Sequence, residues 1–130
     1  MLTAAHCTDE DKSDPKSIAV LVGEHRIDDN KFNRIPVSDI NMHPGWDDNT
    51  FDNDFSILTL ATPVEFSSRV APACLPSDNS KDFAGEVATL SGWGRLSYQG
   101  NQPTVLNEVD VTVKSNEECR GLYGGWITRY

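Results

Sequence analysis

The longest purely apolar run in the chain is Ile18-Ala19-Val20-Leu21-Val22, far short of the ~20 residues that a membrane-spanning helix needs. Short apolar runs rich in β-branched residues, broken by Gly, Pro, Asp and Asn, are the signal of strands rather than helices. The same signal recurs along the chain. Ile35 to Met42 begins with alternation, and its Pro36 predicts an edge or a bulge. Phe55 to Leu60, Gly85 to Ser91 and Val105 to Val113 follow, the last with Val109, Val111 and Val113 on one face as a half-buried strand. One helix is predicted. Ser115-Asn116-Glu117-Glu118 is a capping box, with Ser115 as N-cap and Glu118 three residues on, and its helix runs through Leu122 to Gly124-Gly125. The pattern is all-β, with no internal repeat or low-complexity segment.

A chain of 130 residues suffices for one ordinary domain, and 38% hydrophobic residues can build a core. The formal net charge is −9 and the pI about 4.6, which disfavours nucleic acid and anionic membranes as partners. Met1 to Ala5 has neither a basic region nor a long apolar stretch, so no signal peptide is legible there. Thr8 to Lys16 reads as a charged surface loop. Asp9, Asp11 and Ser13 briefly imitate a calcium loop, but Asp14 and Val20 stand where that motif requires Gly and Glu.

The chemistry-bearing candidates are few. In Leu2-Thr3-Ala4-Ala5-His6-Cys7, small residues let a backbone pack beside the imidazole of His6. A histidine held in place can move protons near neutral pH. Among the carboxylates from Asp47 to Asp54, only Asp54 is followed at once by an apolar strand. Its position demands a hydrogen-bonding partner, although the residues alone would equally suit a turn at a strand start. His43, in His43-Pro44-Gly45-Trp46, reads as a turn residue stacked on Trp46 in preference to a second general base. His25 reads as a surface loop residue. Trp93, in Gly92-Trp93-Gly94, reads as a packing anchor between glycines with unusual backbone angles.

Leu2 to Cys7 closely resembles the histidine motif of the trypsin/chymotrypsin family of serine proteases, and Asp52 to Leu60 is similar to that family's aspartate segment. The separation of His6 and Asp54 is close to the family's interval, and His43-Pro44 and Gly92-Trp93-Gly94 match two further turns. The resemblance implies an incomplete double six-stranded β-barrel. Residues 1–76 would be the end of the first barrel and residues 77–130 the start of the second. It implies a serine endopeptidase in which His6 is the general base and Asp54 its orienting carboxylate. Protein or peptide substrates and protein inhibitors are the implied partners, and the implied setting is extracellular.

No Gly-Asp-Ser-Gly-Gly turn occurs in the sequence, so no nucleophile is identified. Serine needs such a base to react at neutral pH, and the chain alone is expected to be inactive. The alternative is a catalytically inactive homologue that serves as a binding protein. A small acidic β-protein without protease function would require His6 and Asp54 to lie far apart. By the same resemblance, Cys7, Cys74 and Cys119 have disulfide partners outside the chain, which is expected to be a piece of a secreted protein. No cofactor is implied. Glu24 falls where a calcium-ligating Glu would sit, but Lys31 and Arg34 occupy later acidic positions, which disfavours calcium.

Overall fold

A computed structural model describes residues 1–28, 34–78 and 81–124. It divides into two compact units, Met1–Gly23 with Lys31–Ala71, and Glu24–Asn30 with Pro72–Tyr130.

The first unit is built on a four-stranded antiparallel sheet. Its strands are β1 (Leu2–Thr3), β2 (Ala19–Val20), β3 (Ile35–Met42) and β4 (Ser56–Leu60), in the order β1-β4-β3-β2. β4 is therefore central, with Ser56 opposite both Thr3 of β1 and Met42 of β3. Two short 3₁₀ turns, Ala5–Cys7 and Pro15–Ser17, fill the connection from β1 to β2. Of the run Ile18 to Val22, only Ala19–Val20 pairs as a strand. Ile18 and Val22 pack against the core of Val20, Val37 and Leu58, together with Ile40 and Leu60.

The bulge anticipated near Pro36 falls at Ser38, where the β3–β4 register shifts between Val37 and Asp39. Ser38 Oγ donates to the Thr59 carbonyl at 3.1 Å. Before the bulge, Ile35 and Val37 are buried; after it, the inward positions become Ile40 and Met42. One extra residue exchanges the faces of a period-two strand, so the alternation read at the start of β3 does not persist to its end. Gly23 ends the β2 segment at φ +72°, where a Cβ would come within 2.9 Å of Val70 Cγ2. Glycine is required there on both counts.

The second unit carries the antiparallel pair β5 (Val87–Gly92) and β6 (Asn107–Thr112), with Leu90 opposite Val109 and Ala88 opposite Val111. Residues 25–27 run beside 104–106, joined by Ile27 N–H to the Thr104 carbonyl and Leu106 N–H to the His25 carbonyl, both at 2.8 Å. The helix α1 (Asn116–Tyr123) has the anticipated capping box: Glu118 N–H donates to Ser115 Oγ at 3.2 Å, and Ser115 N–H to Glu118 Oε2 at 3.1 Å. Gly125 lies outside the described residues.

Two sequence expectations fail in this unit. The apolar face of β6 is open, with Val109 57% and Val111 38% exposed, because a two-stranded ladder supplies no second layer to cover it. Neither glycine beside Trp93 has a positive φ, since the positive-φ glycines among the described residues are Gly23, Gly85 and Gly124. Trp93 is anchored instead by its indole N–H, which donates to the His25 carbonyl at 3.3 Å.

Candidate active site

The first unit brings His6 and Asp54 together. His6 lies on the 3₁₀ turn that leaves β1, and Asp54 lies two residues before β4, which pairs with β1. The ring Nδ1 is 2.7 Å from Asp54 Oδ2, and the backbone N–H of His6 donates to Oδ1 at 2.9 Å. Burial works against ionising Asp54. The His6 backbone N–H, the His6 ring and its charge, and the Ala5 N–H outweigh it and hold the carboxyl below the usual carboxylate range. With Nδ1 committed to a carboxylate, the ring presents Nε2 as its other face. Cys7 Sγ stands 3.4 Å from Nε2.

The site is open. The side chains of His6 and Asp54 are 50% and 25% exposed, and an ion pair so placed contributes only about 0–1 kcal/mol in water. Thr8 and Ser56 are 2% and 0% exposed. Thr8 Oγ1 donates to the Ala5 carbonyl at 3.1 Å and lies 3.0 Å from Ser56 Oγ. Thr8 was expected to open a surface loop, and its burial corrects that reading. The charged surface begins after it, where Lys12 pairs with Asp9 at 2.9 Å.

The loop before Asp54 is shaped by its other acidic residues. Asp47 Oδ1 accepts from the Asn49 N–H at 2.8 Å and the Thr50 N–H at 3.3 Å, and the Asn49 N–H is the main cause that lowers the Asp47 pKa. Phe51 and Asn53 take positive φ angles of 59° and 57°, which cost non-glycine residues energy. They are held by Phe51 N–H to the Asp47 carbonyl and by Asn53 Nδ2 to the Gly45 carbonyl, both at 2.8 Å. The Phe51 ring meets both His6 and Trp46 edge-on, at 6.0 and 5.7 Å between centroids.

His43 is not part of this arrangement. Its ring packs on Phe55 at 4.6 Å, not on Trp46, and its Nδ1 accepts the Gly45 N–H. The ring that meets Trp46 is that of Phe51. His25 uses its carbonyl, not its ring, in the contacts described above. No group of three or more His, Cys, Asp or Glu among the described residues is placed to hold a metal ion. Lys31, which entered the reading of Glu24, lies outside the described residues. Cys7, Cys74 and Cys119 form no disulfide with one another.

Sequence reasoning missed Thr8, Ser56 and Phe51. Thr8 and Ser56 lie two residues after His6 and Asp54 respectively, but that offset is no signal by itself, because β1 and β4 are antiparallel and equal steps carry antiparallel segments apart.

Residues 1–129 match the trypsin family, and the chain belongs to that family. It is 35% identical over 127 residues to the serine protease filzig of Drosophila melanogaster, covering 95% of this chain and 7% of that protein. It is 35% identical to trypsin-1 of Astacus astacus, covering 95% and 52%, and 36% identical to granzyme B of Rattus norvegicus, covering 99% and 50%. A solved structure described as "Structure of GrC" superposes with a TM-score of 0.83 at 28% identity, over 98% of this chain and 55% of that one. The incomplete, all-β, trypsin-like fold expected from the sequence is borne out. The chain spans about half the length of trypsin-1 and granzyme B, and a small part of filzig.

Proposed function

We propose that this chain supplies the histidine and aspartate of a secreted trypsin-like serine endopeptidase. His6 is the general base that takes the serine proton through Nε2 and later returns it to the leaving amine. Asp54 fixes the ring with Nδ1–H inward and stabilises the imidazolium. These are the family's roles, carried onto matching residues. The observation that supports them best is the 2.7 Å contact between His6 Nδ1 and Asp54 Oδ2.

The reading extends to protein or peptide substrates, protein inhibitors, an extracellular setting, no cofactor, and no nucleic-acid or membrane partner. It assigns residues 1–76 to the first barrel of the peptidase and 77–130 to the second. It places the disulfide partners of all three cysteines elsewhere in the protein.

The 130 residues hold no Gly-Asp-Ser-Gly-Gly turn, and the peptidase reading takes its nucleophile from outside them. Losing the serine costs a serine protease about 10⁶ in turnover, and the isolated chain should leave a fluorophosphonate probe unreacted. The test is the full-length transcript and the protein it encodes. A serine at the nucleophile position and a probe label that disappears in His6→Ala support the reading. Another residue at that position, with no label, overturns it in favour of an inactive homologue.

A further inference from the structure

We propose that the buried hydroxyl pair Thr8–Ser56 positions the His6–Asp54 dyad, an inference that rests on the reading of His6 as a general base. Two couplings join the turn at Ala5–Cys7 to the start of β4, and both span 48 residues: His6 to Asp54, and Thr8 to Ser56. The first is open to water, the second sealed from it.

The direction of the sealed coupling follows from its protons. A hydroxyl has one proton to give. Thr8 Oγ1 gives its own to the Ala5 carbonyl, so the hydrogen between the two hydroxyls comes from Ser56. The chain of donation therefore runs from Ser56 Oγ to Thr8 Oγ1 to the Ala5 carbonyl. That carbonyl also accepts the Thr8 backbone N–H at 2.9 Å. Both of its lone pairs are engaged, and Ala5, itself fully buried, immediately precedes His6.

The 3₁₀ turn has no side-chain cap at its N-terminal end, and a turn this short has little internal stiffness. Its C-terminal end is where the hydroxyl pair ties it to the central strand of the sheet. Since Ser56 is two residues beyond Asp54 on the same chain segment, the tie sets the height of the imidazole over the carboxylate. Thr8 and Ser56 touch no reacting atom; they are positioning residues that act through His6.

The test uses the full-length protein labelled with ¹⁵N at histidine, and reads the exchange of the His6 Nδ1 proton with water. Thr8→Val with Ser56→Ala removes both hydroxyls together and orphans neither. This double variant should fold, with amide resonances away from the turn unchanged, and should exchange the Nδ1 proton at least about tenfold faster, as loss of the two hydrogen bonds made by the hydroxyls allows. Thr8→Ser keeps the hydroxyl and should exchange at the parent rate. A folded double variant with unchanged exchange overturns the proposal. So does a double variant that fails to fold while Thr8→Ser folds, since the pair would then be purely structural. Absence of a protected Nδ1 proton in the parent chain would overturn the dyad geometry together with this proposal. Failure of the peptidase reading shows separately, as an unlabelled full-length protein.

Discussion

Asp54 receives two hydrogen bonds from one residue: His6 donates its backbone N–H to Oδ1 at 2.9 Å and holds its ring Nδ1 at 2.7 Å from Oδ2. The same carboxylate thus fixes both the main chain and the ring of the histidine. Asparagine at this position has a single acceptor oxygen and cannot serve both. Asp54→Asn should therefore turn His6 to the tautomer protonated on Nε2, visible in the ¹⁵N shifts of the ring. On the proposed peptidase reading, turnover of the full-length protein should fall about 10⁴-fold, the size of the same change in this family.

The acid side of the stability profile follows from several carboxylates. Burial opposes ionisation of Asp54, but its bonds to His6 lower its pKa overall. Asp28 is lowered chiefly by Arg26, Asp47 by the Asn49 N–H, and Glu118 by the Ser115 N–H. A group whose folded pKa lies below its unfolded value stabilises the fold fully above the unfolded value, near 4, and loses that contribution as pH falls through the folded value. Urea midpoints should decline as pH drops below about 4, and Asp54→Asn should make that decline shallower.

Leu58, 5% exposed, packs with Val20 and Val37 on the central strand beneath the site. Leu58→Ala should destabilise the first unit by about 2–5 kcal/mol. Hydrogen exchange should show faster opening across β3 and β4, with α1 in the second unit unaffected.

Ser115 caps α1 from its side chain and completes a reciprocal box with Glu118. Ser115→Ala should weaken the helix by about 1 kcal/mol. The effect should be read as faster amide exchange at Glu118 and Cys119, whose N–H groups donate to Ser115 Oγ and the Ser115 carbonyl, because an eight-residue helix in water is marginal without its cap.

The sequence by itself determined what depends on neighbours along the chain. The β3 strand from Ile35 to Met42 and the capping box at Ser115 were legible because period-two alternation and cap chemistry are local. His6 and Asp54 were legible as candidates through motifs, not through any property that two distant residues display alone. Tertiary structure decided the rest. Thr8 looks like the first residue of a polar loop until Ser56 is brought against it. The bulge at Ser38 exchanges the inward face of β3 midway. Val109 and Val111 alternate as a buried strand should, yet burial requires a covering layer that local pattern cannot specify. Side-chain burial and contact are properties of pairs far apart in sequence, and only the folded chain fixes which pairs meet.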